Sequence, residues 1–209
     1  IRRQRQMCIR DSYRTHGGQI SPVIIRTRGH RLEGIWHSGS PMGMIIHGTR
    51  GVNICVPRNM TKAAGFYNTL MASNEPAMVV ECLNSYRVKE KLPTNMGEFR
   101  TPLGIPETTK EGSDITIVTY GSTWRIVSEA ANQLDEFGIS AEVIDIQTLV
   151  PLDINKTMID SLKKTNRLLV VDEDVPGGAS AYILQNIIED QKGFFHLDSE
   201  PQTLAAKAH

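Results

Sequence analysis

The sequence predicts an α/β fold with open, mostly parallel sheets that are covered by helices. Three short runs in the second half, at 115–119, 141–146 and 168–171, are apolar on both faces. Such runs are typical of parallel strands that lie between two layers of helices. Helical spacing of apolar residues separates the runs, so the order is strand–helix–strand–helix–strand. A sheet of this kind binds ligands or partners at the carboxyl ends of its strands.

Capping residues mark the helices of the second half. We predict helices at 123–137 and 179–190, another between them that ends near residue 164, and a short strand at 203–206. Gly138 ends the first helix, because glycine readily takes the left-handed conformation that follows a helix. Asp153 or Asn155 caps the second helix, and Gly177-Gly178 precedes the third. The apolar face of the first helix is expected to contain Ile126, Val127, Ala130 and Leu134.

The first half shows a less regular alternation of strands and helices. We predict strands at 22–26, 52–56 and 77–82 and helices at 42–47 and 60–72. Asn59 suits the cap of the longer helix, because its side-chain oxygen accepts a hydrogen bond from the free backbone N–H groups there. A glycine-punctuated loop at 29–39 carries His30, Trp36, His37 and Ser38.

The chain divides into four segments by composition. Residues 1–12 contain four arginines and almost nothing to bury, and we interpret them as non-native. Residues 13–87 and 113–209 are the two segments in which strands and helices alternate. Residues 88–112 lack an apolar period and contain Pro93 and Pro102, so they are predicted to be a linker. The abrupt limits at Tyr13 and His209 indicate a piece of a longer protein.

Composition excludes several classes of protein. The chain is 40% hydrophobic and 22% charged with zero formal net charge, which gives no basic surface for nucleic acid. No apolar run approaches the roughly 20 residues that span a bilayer. Cys8, Cys55 and Cys82 form no CxxC pair, and they fit reduced thiols better than a disulfide framework or a zinc site. We expect a protein of the bacterial cytoplasm or of the mitochondrial matrix.

Several segments together resemble one enzyme family. They are EGSDITIVTYGS (111–122), AEVIDIQTLVPLD (141–153), KKTNRLLVVDE (163–173), WHSGSPMGMIIHGTRGVNICVPRNMTKAAG (36–65) and the segment that ends in Tyr86-Arg87. They resemble transketolase-like enzymes, and above all the beta subunit of the thiamine-dependent 2-oxo-acid dehydrogenase decarboxylase component, of the pyruvate or branched-chain type. The resemblance covers residues 13–209, and it depends on the order and spacing of the motifs.

The resemblance implies a domain arrangement, a cofactor and partners. Residues 13–87 would be the rear part of a thiamine-pyrimidine-binding domain, and residues 113–209 a transketolase C-terminal domain truncated at its end. The cofactor would be thiamine diphosphate with magnesium, held mainly by upstream or partner segments. The partners would be an alpha subunit, or alpha half, and a lipoyl-bearing acyltransferase core. A heterotetramer, or a homodimer of fused chains, would bring the active sites between subunits.

His37 is the leading candidate for catalysis, with Ser38 beside it. An imidazole gives and takes protons near neutral pH. By spacing alone, a histidine beside tryptophan is more often a structural hydrogen-bonding residue. The resemblance reverses that preference, because His37 aligns with the family's active-site histidine, which is thought to assist proton transfer during acylation of the lipoyl arm. Ser38 would orient it, although a plain turn serine is an equal alternative.

Other polar residues are weaker candidates. His47 ends a short helix, where a structural role is favoured. His30 and Arg31 fit a solvated loop, and Tyr86 with Arg87 fits either a subunit interface or surface pairing. Residues 70–75 correspond to a potassium-binding turn in some relatives, but we assign no metal. Asp145 and Asp153 flank a strand end, where paired carboxylates do acid–base chemistry, although Asp153 is better explained as a helix cap. Gly177-Gly178 alone is a weak phosphate-binding pattern.

Two departures and one absence qualify the resemblance. Gln147 stands where relatives usually carry arginine, and residues 176–180 replace the family's Thr-Gly-Gly-Phe. The glutamate that activates the aminopyrimidine ring lies upstream of Tyr13 in the family, so the chain alone is expected to be inactive. Two alternatives stay open: a transketolase or deoxyxylulose-phosphate-synthase-like ketol transferase, and a non-catalytic scaffold that docks to a partner. The sequence does not specify which 2-oxo acid is used, or whether the parent is a separate beta subunit or a fused chain.

Overall fold

The computed structural model describes residues 22–29 and 40–206. Within them, strands and helices alternate and build two sheets. The predicted α/β class is therefore confirmed. Among the described residues the longest helix has 14 residues, and none is long and apolar enough to pass through a bilayer.

The first sheet has three parallel strands and one antiparallel strand. The parallel strands are β1 (Ile24–Gly29), β2 (Asn53–Cys55) and β3 (Ala77–Cys82), and β3 is central. Helices α1 (Met42–Gly48) and α2 (Met60–Met71) connect them, and a 3₁₀ turn (Leu83–Arg87) follows β3. The fourth strand, β7 (Thr148–Val150), comes from the second half of the chain and pairs antiparallel with β2. The order is β1-β3-β2-β7.

The second sheet contains the strands that the sequence predicts most clearly. Its strands in chain order are β4 (Glu107–Lys110), β5 (Ile115–Thr119), β6 (Ala141–Asp145), β8 (Leu168–Val171) and β9 (Gln202–Leu204). The spatial order is β4-β6-β5-β8-β9, and only β4 is antiparallel to its neighbour. The helices are α3 (Thr123–Glu136), α4 (Thr157–Thr165) and α5 (Ala179–Gln185), the last continued by a π-helical turn (Asn186–Asp190).

Side-chain caps fix the beginnings of two helices. The Asn59 side chain accepts a hydrogen bond from the backbone N–H of Lys62 at 2.8 Å, as predicted. The Asp153 carboxylate accepts from the N–H groups of Thr157 and Met158 at 2.8 and 2.9 Å. The residue at the N-cap position is Lys156, and the Asp153 carboxylate caps the first turn of α4 from three residues upstream, in line with the explanation favoured for this carboxylate.

One apolar core joins the two halves of the chain. It contains Met42, Ile45 and Ile54 from the first half and Ile144, Leu149 and Ile183 from the second, all almost fully buried. Because β7 pairs with β2, residues of the second half also form the edge strand of the first sheet. The two halves therefore share a core.

Three details differ from the sequence-based expectation. β4 lies inside the segment 88–112 that was predicted to be a linker, and β7 was not predicted. On α3 the buried face runs through Val127 and Ala131, whereas Ile126 is 51% exposed and Ala130 is also exposed. Val127 and Ala131 are four residues apart, as one helical face requires. The observed buried face is therefore rotated about the helix axis relative to the predicted one. The domain boundaries stay a prediction.

Candidate functional site

The segment with the predicted catalytic residues is known only by its two ends. His37 and Ser38 lie outside the described residues, as do His30 and Arg31, and their roles stay predictions. Gly29, the last residue of β1, lies against both β3 and the start of α1. A Cβ atom built on Gly29 would be 3.3 Å from Val80 Cγ1 and 3.8 Å from Pro41 Cδ. The chain therefore leaves and re-enters the described structure at the carboxyl edge of the first sheet.

A buried carboxylate lies close to this edge. Glu81, the penultimate residue of β3, is 4% exposed. Tyr67 donates a hydrogen bond to Glu81 Oε1 at 2.6 Å, and Arg26 Nε donates to Oε2 at 2.8 Å. The hydroxyl of Tyr86 donates to the same carboxylate. Burial alone would raise the pKa of Glu81, but the donors from Tyr67, Tyr86 and Arg26 outweigh burial and lower it.

This Glu81 cluster stabilises the turn beside the carboxyl edge. Burial and the neighbouring anion raise the pKa values of Tyr67 and Tyr86, so both phenols remain protonated donors at neutral pH. Tyr86 belongs to the 3₁₀ turn after β3 and is 39% exposed. The cluster therefore ties this turn to β1 through Arg26, and it provides no free base.

A cleft of about 110 Å³ opens where strands of the two sheets end. Residues that line it include Arg58, Asn84, Ser85, Ser122, Trp124 and Arg125. Arg58 follows β2, Asn84 and Ser85 follow β3, and Ser122 with Trp124 follows β5. Carboxyl ends of strands from both halves therefore meet at one crevice, which is where open α/β sheets bind ligands.

Arg58 joins the two sheets across this crevice. Its Nη1 atom lies 2.7 Å from Asp145 Oδ2, and its Nη1 and Nη2 atoms donate to Glu107 at 3.1 and 3.0 Å. The guanidinium also lies 4.8 Å from the centre of the Trp124 ring, within cation–π range. Lys62 forms a further ion pair with Glu107. Burial would lower the pKa of Arg58, but Glu107 and Asp145 raise it, so the guanidinium stays charged.

Asp145 is a fully buried carboxylate with a raised pKa. Burial raises its pKa to about 6, although Arg58 and the backbone N–H of Gln147 act in the opposite direction. Asp153, which was considered as its acid–base partner, is bound to the start of α4. The structure therefore does not bring these two carboxylates together in an acid–base arrangement.

The other sequence candidates take structural positions. His47 is exposed in the last turn of α1. Gln147 is 2% exposed with a positive φ of 55°, and its Nε2 atom donates to the carbonyl of Ile105 at 3.1 Å. Burial raises the pKa of Cys55 and of Cys82 to about 12, so neither thiol is a nucleophile at neutral pH.

Sequence reasoning missed Arg58 and Glu81 as members of polar clusters. The signal for Glu81 was a single carboxylate in the apolar strand AMVVEC. Charged side chains are rarely buried without a partner, so this carboxylate called for a cation or several donors nearby. Arg58 offered a weaker signal, because its partners Glu107 and Asp145 are 49 and 87 residues away in the chain.

Comparison with known proteins identifies relatives for most of the chain. Residues 105–208 match the family model for the transketolase C-terminal domain. The pyruvate dehydrogenase E1 component subunit beta of Acholeplasma laidlawii is 30% identical over 190 residues, which are 90% of this chain and 57% of the relative. The mitochondrial 2-oxoisovalerate dehydrogenase subunit beta of Dictyostelium discoideum is 35% identical over 173 residues, 81% of this chain and 45% of the relative.

A third relative has a different named substrate. The acetoin:2,6-dichlorophenolindophenol oxidoreductase subunit beta of Bacillus subtilis is 34% identical over 194 residues, which are 91% of this chain and 55% of the relative. The chain thus spans about half the length of the curated relatives that it matches.

Solved structures support the fold. A split-gene transketolase, described as an inactive beta4 tetramer, superposes with a TM-score of 0.71 at 18% identity over 98% of this chain and 64% of its own. A transketolase mutant from Pichia stipitis gives 0.58 at 14% identity over 90% of this chain and 26% of its own. Residues 105–208 are therefore a transketolase C-terminal domain, and the chain is related to the beta subunits of 2-oxo-acid dehydrogenases.

Proposed function

We propose that the chain is part of the beta subunit, or of the beta half of a fused chain, of a 2-oxo-acid dehydrogenase decarboxylase component. The reaction is oxidative decarboxylation of pyruvate or a branched-chain 2-oxo acid, with transfer of the acyl group to a lipoyl group. The observation that carries this proposal is 30–35% identity with beta subunits of both kinds over 81–90% of the chain. The transketolase structures, at 14–18% identity, support the fold without favouring ketol transfer.

The cofactor of this proposal is thiamine diphosphate with magnesium, which supplies the carbanion chemistry when it is bound. Among residues 22–29 and 40–206, no group of three or more His, Cys, Asp or Glu side chains is arranged to hold a metal ion. We propose that upstream segments and the alpha partner hold the cofactor.

His37 is proposed to move a proton during acyl transfer to the lipoyl group, with Ser38 orienting its ring. Imidazole is the side chain suited to this role, since it changes protonation near neutral pH. The placement of Gly29 and Pro41, which flank this segment, supports the proposal. Both lie at the carboxyl edge of the first sheet, the edge at which open α/β sheets bind ligands.

The proposed partners follow from the same assignment. They are an alpha subunit or alpha half and the lipoyl-bearing acyltransferase core, in a heterotetramer or in a homodimer of fused chains. The proposed location is the bacterial cytoplasm or the mitochondrial matrix, since the relatives include bacterial and mitochondrial proteins.

The test uses the complete native chain assembled with its alpha partner. The variant H37A should impair lipoyl acylation while decarboxylation, followed with an artificial electron acceptor, is partly retained. H47A is the matched control, because His47 is an exposed histidine at the end of α1 and should leave both rates unchanged. Full overall activity in H37A would contradict the catalytic assignment.

The same preparation distinguishes the substrate classes. Turnover of pyruvate, branched-chain 2-oxo acids and acetoin should be compared, because the Bacillus subtilis relative is named for acetoin. Ketol transfer between sugar phosphates would favour the transketolase alternative. An assembled complex that binds the acyltransferase but turns over none of these compounds would favour the non-catalytic scaffold.

A further inference from the structure

Helix α1 and the start of α5 pass each other at two glycines. A Cβ atom built on Gly43 would lie 3.1 Å from the Cα of Gly178 and 3.6 Å from its carbonyl carbon. Carbon atoms in favourable contact are about 3.5–4.0 Å apart, so a side chain at residue 43 would push directly on the backbone of α5. Asp174 Oδ2, 3.7 Å from the same Cβ position, closes one side of this contact.

The start of α5 is held firmly against the second sheet. Asp172, which directly follows β8, accepts a hydrogen bond from the N–H of Ser180 at 3.0 Å. The same carboxylate accepts a hydrogen bond from the hydroxyl of Tyr120 at 2.7 Å, and Tyr120 directly follows β5. Both partners of Asp172 are almost fully buried. The second sheet therefore fixes the position of Gly178.

Helix α1 is fixed on its other sides by the shared core. Met42 and Ile45 are buried at 0% and 3% exposure, and they belong to the same apolar cluster as Ala179 and Ile183 of α5. Cores packed to this density do not absorb an added atom without a shift. An atom inserted between Gly43 and Gly178 therefore requires α1 and the start of α5 to shift apart by a few tenths of an ångström.

We propose that Gly43 and Gly178 form a positioning contact, through which the C-terminal domain sets the place of α1 and of Ser40 and Pro41 before it. This inference rests on the proposed function, because Ser40 follows His37 by three residues in the chain. Neither glycine touches a reacting group in this proposal. Their role is to hold the end of the His37 segment at the carboxyl edge of the first sheet.

The test is the variant G43A in the complete enzyme, with G48A as the matched control. Gly48 is the last residue of the same helix, and a Cβ there would meet nothing within 4 Å. G43A should lower the rate of lipoyl acylation at saturating substrate by fivefold or more, while decarboxylation with a dye acceptor changes less than twofold. G48A should leave both rates within twofold of wild type.

A third variant separates positioning from loss of stability. M42A removes a fully buried neighbour of Gly43 and creates a cavity without pushing on α5. If M42A lowers the ratio of acylation to decarboxylation as much as G43A does, the effect is one of stability and the positioning role is wrong. If G43A does not assemble, G178A tests the contact through Asp174, because a Cβ on Gly178 would meet Asp174 Oδ2 at 2.3 Å, and this atom closes one side of the contact.

The H37A variant, measured in parallel, tells the two proposals apart. Impaired acylation in H37A with normal acylation in G43A would overturn the positioning contact alone. Normal acylation in H37A would overturn the catalytic assignment of His37, and this inference with it. Absence of lipoyl acylation in the assembled wild-type enzyme would overturn the proposed function itself.

Discussion

Each sheet has a strand with a buried carboxylate at its carboxyl end, and the two carboxylates are stabilised by different sets of partners. Glu81, at the end of β3, receives hydrogen bonds from two phenols and from an arginine that is itself 64% exposed, and its pKa is lowered. Asp145, at the end of β6, is fully buried and relies on Arg58 and one backbone N–H, and its pKa is raised to about 6. Each carboxylate has an arginine partner, yet the pKa shifts have opposite signs.

The comparison shows that the number of donors, set against the depth of burial, determines the pKa of such a carboxylate. A second anion near Asp145 contributes as well, because Glu107 shares the guanidinium of Arg58 and raises the pKa of Asp145. Neutral phenols around Glu81 donate hydrogen bonds without bringing a competing anion. Glu81 is therefore ionised more readily than a free glutamate, whereas the ionisation of Asp145 depends on Arg58.

The largest effect is expected from the variant R58A. It leaves Asp145 buried without its cation, and removing one partner of a buried ion pair costs about 3–5 kcal/mol of unfolding free energy. Urea unfolding at pH 7 measures the loss. R125A is the control, since Arg125 lines the same cleft but is exposed, and it should cost less than about 0.5 kcal/mol. Equal losses in the two variants would show that Arg58 does not support Asp145.

Replacing Asp145 with asparagine tests the raised pKa of this carboxyl through the dependence of stability on pH. The pKa is raised from 3.8 in the unfolded chain to about 6 in the fold, so the stability linked to the protonated acid is complete below pH 4. It is lost as the pH rises through 6. Wild type should therefore lose about 2 kcal/mol relative to D145N between pH 4 and pH 7.

Urea unfolding of both proteins across that range tests the shift. Glu81 and Glu142, whose lowered pKa values act in the opposite direction, are present in both proteins and cancel in the difference. A difference that does not vary with pH would mean that Asp145 is ionised throughout.

The smallest effect is expected from R26Q, at the other end of the comparison. The guanidinium of Arg26 is largely exposed, and exposed ion pairs contribute about 0–1 kcal/mol, so the midpoint of urea unfolding should hardly move. E81Q is the reference variant, and it should cost about 1–3 kcal/mol because three donors lose their shared anion. If R26Q costs as much as E81Q, the phenols are not the main support of Glu81.

The strands and helices that the sequence predicts well are those with a local signal. The strands β5 and β8 have the predicted bounds, and Asn59 caps α2 at the predicted position. β4 has the polar sequence ETTK and lies half-buried at a sheet edge, so no apolar pattern marks it. β7 has three residues, and it forms only because β2 offers a free edge almost a hundred residues earlier.

The candidate site depends less on local patterns. His37 and Ser38 were identified through the resemblance, and the part of the chain that the structure describes does not include them. The Arg58 cluster and the contact of Gly43 with Gly178 each join residues far apart in sequence, so only the fold brings them together. Glycine is chosen at such crossings for its missing side chain, which leaves no pattern in a single sequence.

The pairing of β7 with β2 has a consequence for synthesis on the ribosome. β2 ends at Cys55, and its antiparallel neighbour is complete only when Val150 has been added. The intervening stretch of about 95 residues takes on the order of 5–20 s to translate. During this interval the emerging chain presents an open, apolar strand edge, which is the kind of surface that recruits chaperones and promotes aggregation. Slower translation between these two points should therefore lower the soluble yield.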